Sequence, residues 1–206
     1  MWIRLHVKPL PYQTFPGIFS SIDSYNKRVV HGYFDREGAM PSWLRGLGDV
    51  KGYIDPPSYQ KFSHVDPGTG VTLRGTPDGV FQMRDGSYTI VDYKTAKYTP
   101  GQEKLLPLYR AQLNGYAYLG NRLNLNPVSQ LALVYMEPVT DQDTAATPEV
   151  VDGRGFVMAL SATVGLWTWL QSNSSPTCCA GPMLSTNSPP HGLSIPTART
   201  APRWSR

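Results

Sequence analysis

Asp78, Asp92 and Lys94 are the residues of this chain whose types and spacing could do chemistry. Pro77-Asp78 sits in one apolar stretch and Asp92-Tyr93-Lys94 ends the next, a pattern of P-D, thirteen residues, then D-x-K. Alternate side chains of a strand share a face, so Asp92 and Lys94 point one way and Tyr93 the other. Ile90 lies on the Asp92 face and Val91 on the opposite one, so both sides of this strand read as buried. Charges ending such a run are costly unless compensated. A divalent cation between two carboxylates would supply that compensation, and hard oxygen ligands favour Mg2+ or Mn2+. The plainer alternative is an ion pair between Asp92 and Lys94 at a hairpin end.

The elements that must position these groups follow from pattern. Val71 to Met83 and Tyr88 to Tyr93 read as strands around Arg84-Asp85-Gly86-Ser87, whose Asp-Gly pair is a strong hairpin signal. A two-residue Asp85-Gly86 turn would pair Asp78 with Tyr93 and leave Asp78 on the wrong face. A three-residue Asp85-Gly86-Ser87 loop, pairing Asp78 with Lys94, or a bulge at Gly79, would bring Asp78, Asp92 and Lys94 to one surface, and one of these devices is expected. Gly75 and Gly79 flank Asp78, as expected where a strand bends or backbone approaches a ligand closely. Upstream, apolar spacing predicts an amphipathic helix over Ile18 to Phe34, started by Ser20, Ser21 or Asp23. A short helical turn over Pro41 to Leu47 and a strand over Val50 to Ile54 come next. Downstream, a helix is expected over Gln102 to Leu119, its start free to slip toward Pro107. Gln112 and Tyr116, four apart, share a face of it. Strands over Ser129 to Met136 and Gly155 to Val164, and a helical lid near Leu166 to Leu170, complete a mixed sheet flanked by helices, an α/β (α+β) class.

Composition bounds the rest. The 206 residues are 40% hydrophobic and 17% charged, one ordinary domain's worth of chain. No apolar run reaches the roughly 20 residues of a membrane span, and Met1 to Gln13 lacks a secretory core, so a cytoplasmic protein with no membrane partner is expected. Cys178 and Cys179 are neighbours, which excludes a disulfide scaffold and spaced metal-ligand sets. Residues 173–206, rich in Pro, Ser and Thr, read as a disordered tail, leaving 1–172 as the folded domain. The net charge of +4 owes much to Arg199, Arg203 and Arg206 in that tail; sixteen basic and fifteen acidic residues remain, so charge alone argues only weakly for nucleic acid.

The segments LRGTPDGVF, YTIVDYKTAK and the Q-x-x-x-Y of QLNGY resemble motifs II and III and the following helix of the PD-(D/E)XK nuclease superfamily. The nearest resemblance is to the RecB-type and CRISPR-associated exonuclease branch. It spans roughly 71–120, and the element order fits from about 18 to 164. The resemblance implies a restriction-endonuclease-like core and a metal-dependent DNA nuclease, exonuclease-like in action and engaged in DNA repair or processing. It implies that Asp78 and Asp92 bind Mg2+ or Mn2+, that Lys94 orients or activates the attacking water, and that Gln112 and Tyr116 handle DNA and shape the site. Chemistry needs the same kit: phosphodiester hydrolysis calls for a metal to neutralise phosphate and acidify water, with a cation near the nucleophile. Relatives place another acid or a histidine on or after the first helix; no residue here matches that position, and His31 is the candidate. Branches with an iron–sulfur cluster use four cysteines, so none is implied. DNA, as single strands or ends, is the implied partner, with a helicase or other DNA-processing protein as a further one. The alternative is a catalytically silent nucleic-acid-binding or interaction domain on the same fold, a truncated or diverged gene product.

Overall fold

A computed structural model describes residues 17–99 and 105–169. The expected division of the chain at residue 173 lies outside these residues. A helix, α1 (Gly17–Glu37), is followed by a 3-10 turn over Ser42–Leu47 and the strand β1 (Val50–Ile54). Two short strands, β2 (Ser63–Val65) and β3 (Thr72–Arg74), precede the central pair β4 (Gly79–Met83) and β5 (Tyr88–Lys94). The long helix α2 (Leu106–Arg122) leads to β6 (Val128–Pro138). A helical turn, α3 (Gln142–Ala145), and the minimal strands β7 (Val151–Asp152) and β8 (Gly155–Phe156) connect to β9 (Leu160–Thr168).

The main sheet has five strands in the order β1-β4-β5-β6-β9. β5 and β6 run parallel and the other neighbours antiparallel. A parallel pair needs a crossover, which α2 supplies. The sheet separates two apolar layers. On one face Val30 of α1 and Leu44 and Leu47 of the 3-10 turn pack on Phe81, Val91, Tyr93 and Val134. On the other, Leu113, Ala117 and Leu119 of α2 pack on Val80, Ile90, Leu131 and Leu133. This is the expected mixed sheet flanked by helices, a restriction-endonuclease-like core. Among the described residues no helix is long and apolar enough to cross a membrane.

The stretch expected as one strand over Val71 to Met83 is two. β3 pairs with β2 in a separate ribbon, and the chain crosses to the main sheet between Gly75 and Asp78. Pro77 has no N–H for a ladder, and Gly75 lies so close to α2 that a Cβ there would stand 2.4 Å from Tyr116 Cε1. The lid helix near Leu166 is instead the end of β9: Leu166 and Trp167 pair with Ala132 and Leu131 of β6. The eleven-residue β6 is long enough to template that extension, whereas Leu170 lies outside the described residues. The strand expected over Gly155 to Val164 is likewise divided between β8 and β9. Ser20, Ser21 and Asp23 lie within α1 rather than starting it, and Ser21 Oγ donates to the Gly17 carbonyl at 3.2 Å. α2 begins at Leu106, with Pro107 in its first turn.

Candidate active site

The β4–β5 hairpin sets the site, and its loop is three residues long, Arg84-Asp85-Gly86. Met83 N–H donates to the Ser87 carbonyl at 2.8 Å, and Gly86 N–H to the Met83 carbonyl at 3.1 Å. Gly86 takes a left-handed φ of 88°, and Asp85 Oδ1 accepts the Ser87 N–H at 2.9 Å. The loop thus closes one residue earlier than the Asp85-Gly86-Ser87 loop expected from sequence: Ser87, just before β5, stands opposite Met83, and its hydroxyl meets that of Ser129 at 2.7 Å. The register Gly79↔Val91, extended by one position, sets Asp78 opposite Asp92 rather than Lys94. The three-residue loop keeps the side-chain alternation that a two-residue turn would invert.

Asp92 is buried, 3% exposed, among the apolar residues beneath α2. Gln112 Nε2 donates to Asp92 Oδ1 at 3.0 Å and to the Tyr116 hydroxyl at 2.9 Å. Asp92 Oδ2 faces Lys94 Nζ, and that ammonium lies 4.5 Å from the centroid of the Tyr109 ring. Burial pushes the Asp92 carboxyl up to about 6; Lys94 opposes the rise and the charge of Asp78 adds to it. Burial likewise holds the Tyr116 phenol above its usual value, so its hydroxyl keeps its own proton while accepting from Gln112.

Asp78 stands where the two faces of the sheet meet. Its Oδ2 accepts the Tyr93 main-chain N–H at 3.0 Å. Its Oδ1 accepts Lys27 Nζ at 3.0 Å, and the same ammonium bridges to Asp23 Oδ2 at 2.9 Å. Burial pulls the Lys27 pKa down, but Asp23 and Asp78 outweigh it and hold the ammonium above its usual value.

The arrangement joins Asp78, Asp92, Lys94, Gln112 and Tyr116 in one connected set. His31 is elsewhere: its ring stacks on Tyr53 at 3.8 Å between centroids, and burial there lowers its pKa against the pull of Asp55 and Asp35. Sequence reading gave no role at the site to Asp23 or Lys27. Asp23 and Lys27 form an i, i+4 pair inside the predicted helix, a spacing that signals an ion pair but not its third partner fifty-one positions on. Tyr109 falls on the apolar face of α2 and reads as core. Lys97, three residues past Lys94, pairs with Glu137 at 3.4 Å.

Among the described residues no group of three or more His, Cys, Asp and Glu side chains gathers as a metal cluster. The donor set nevertheless suits a divalent ion. Two carboxylates lie near one another at the end of the hairpin, and burial together with the charge of Asp78 disfavours the ionised form of Asp92, a penalty that a cation would offset.

Residues 27–165 match the family described as the PD-(D/E)XK nuclease superfamily. The chain belongs to that superfamily. No curated protein and no solved structure matches the chain. PD-(D/E)XK nucleases typically use divalent metal ions, and the superfamily's members are generally nucleases. The matched region contains the whole set from Lys27 to Tyr116 and every strand of the main sheet save the last residues of β9.

Proposed function

We propose that this PD-(D/E)XK chain is a metal-dependent DNA nuclease acting on single strands or ends, in the manner of the RecB-type exonuclease branch. The observation that carries the reading is the closeness of Asp78 to Asp92 at the end of the hairpin, where Asp78 accepts the N–H of Tyr93 and its charge acts on Asp92, with Lys94 beside Asp92. Asp78 and Asp92 are the residues that would hold Mg2+ or Mn2+. The bound ion would neutralise the scissile phosphate and lower the pKa of water. Lys94, against the Tyr109 ring and next to Asp92, carries the positive charge that orients the attacking water and stabilises it as it loses its proton. Gln112 fixes the rotamer of Asp92, and the Tyr116 hydroxyl fixes Gln112. The near-neutral charge outside residues 173–206 gives modest intrinsic attraction for a polyanion, which favours delivery of substrate by a DNA-processing partner.

One observation favours a second reading, a silent nucleic-acid-binding domain. Both oxygens of Asp78 already accept from protein groups, and both of Asp92 face protein donors. Cleavage of labelled single- and double-stranded DNA with Mg2+, with Mn2+ and with chelator separates the two. Asp92→Ala and Lys94→Ala, each verified as folded, are run alongside. Metal-dependent cutting lost in both variants is expected, and DNA binding without cutting by folded wild-type protein would establish the silent domain instead.

A further inference from the structure

A divalent ion arriving at the carboxylate pair competes with the protein donors already there, and these differ in how easily they move. Tyr93 N–H is main chain at the end of β5, held by pairing with Val134 of β6. Gln112 is braced by the Tyr116 hydroxyl, and Lys94 is confined between Asp92 and the Tyr109 ring. Lys27 differs on each count. It reaches Asp78 on a flexible four-carbon stem, and its side chain is 30% exposed. It also has a second carboxylate within reach, Asp23 Oδ2 at 2.9 Å, one turn back on its own helix.

An ammonium that leaves Asp78 while keeping Asp23 loses one ion pair without being stranded, so the exchange costs little. Lys27 Nζ and a divalent ion also seek the same hard acceptor, Asp78 Oδ1. We infer that Lys27 is a resident counterion that occupies Asp78 until a divalent ion replaces it, with Asp23 as the carboxylate that receives it. The pair would then set the divalent-ion concentration at which the site fills. The inference rests on the proposed reading of Asp78 and Asp92 as a metal site.

Two substitutions should act in opposite directions. Removing Lys27 frees Asp78 and tightens metal binding. Removing the Asp23 carboxylate leaves Lys27 with Asp78 alone and weakens it. A purely structural role for this ion-pair chain would weaken binding in both cases.

The test is Mn2+ binding to the full chain by titration calorimetry at fixed pH and ionic strength. Lys27→Met is expected to tighten binding by about five- to tenfold, and Asp23→Asn to weaken it by about threefold, the scale of one partly buried ion pair. In the Lys27→Met background Asp23→Asn should change little, because Asp23 acts through Lys27. Unchanged or weaker binding by Lys27→Met would overturn the inference, as would equal weakening by Asp23→Asn in both backgrounds. Thermal melting supplies a second readout: Mn2+ should raise the melting temperature of Lys27→Met more than that of wild type, with Lys27→Gln as the substitute if the methionine variant does not fold. Asp92→Asn separates the two levels of the argument. If it binds Mn2+ as wild type does, the metal-site reading fails and this inference with it. If it abolishes binding while Lys27→Met changes nothing, this inference alone fails.

Discussion

Gln112 holds Asp92 from outside its own strand: the amide nitrogen of a side chain on α2 lies 3.0 Å from Oδ1 of a carboxylate on β5. The second hydrogen of that nitrogen goes to the Tyr116 hydroxyl. The orientation of the central carboxylate is therefore a property of how α2 docks on the sheet.

Gln112→Leu removes that donor and leaves an apolar side chain of similar size in its place. Asp92 then loses a hydrogen bond to a charged acceptor, worth about 1.5–3 kcal/mol. If the site is catalytic, kcat should fall by about ten- to a hundredfold with little change in KM for DNA. Tyr116→Phe should cost less, since it removes only the brace. Steady-state cleavage kinetics decide the matter, and a KM effect without a kcat effect would mean that Gln112 contacts substrate instead.

Gly75→Ala should disturb the same chain from the opposite side. A Cβ there would stand 2.4 Å from Tyr116 Cε1, so the ring must turn away. The expected stability loss is about 1–3 kcal/mol, as for other overpacked sites. The expected loss of activity is equal to or greater than that of Tyr116→Phe. A variant with wild-type melting and wild-type cleavage would show that the loop carrying Gly75 yields freely.

The acid–base behaviour of the metal-free protein should carry the signature of Asp92. Its folded-state pKa of about 6 lies above the ordinary 3.8, so the folded state binds the proton more tightly than the unfolded chain does. The stabilisation from that protonation is fully present below about pH 4 and is lost as pH rises through about 6. Between those limits Asp92 should make the protein up to about 3 kcal/mol more stable at the acid end, while metal affinity falls in the same direction. Chemical denaturation of wild type and Asp92→Asn, with chelator present, isolates this contribution. An identical pH slope in both would contradict it.

Gly120 tests the packing that seats α2. A Cβ there would lie 3.0 Å from Val128 Cγ2 and 3.4 Å from Ile90 Cδ1. Gly120→Val should therefore cost about 1–3 kcal/mol in spite of the poor helix propensity of glycine. Urea denaturation measures it, and a neutral result would show that β6 can shift to make room.

Much of this arrangement was legible in the sequence where a local rule applied. Alternation placed Ile90, Asp92 and Lys94 on one face, and helical spacing placed Gln112 beside Tyr116. The Asp-Gly pair marked the hairpin, and the two glycines around Asp78 marked a bend. What escaped was decided by tertiary partners. The hairpin loop closed after Gly86, where Ser87 meets Ser129 on β6, a strand forty-two positions further along the chain. The end of β9 became strand rather than helix because β6 was there to pair with it. Lys27 reads as a helix-surface lysine until α1 is laid across the end of β4, and His31 gives no sign in the sequence that Tyr53 will cover it.

The connections of the site are unequal in sequence distance. Asp78, Asp92, Lys94, Gln112 and Tyr116 come from one run of chain through β4, β5 and α2, whereas Lys27 joins Asp78 across fifty-one positions. α1 itself has only Asn26 and Val30 fully buried in its twenty-one residues. Contacts close in sequence form early, and an element with few buried groups opens at little cost. The half of the site on β4, β5 and α2 should thus assemble first in folding, and native-state hydrogen exchange should find α1 opening well below the free energy that protects β5 and β6. The arm that carries Lys27 would then be the last part of the site to arrive and the first to leave.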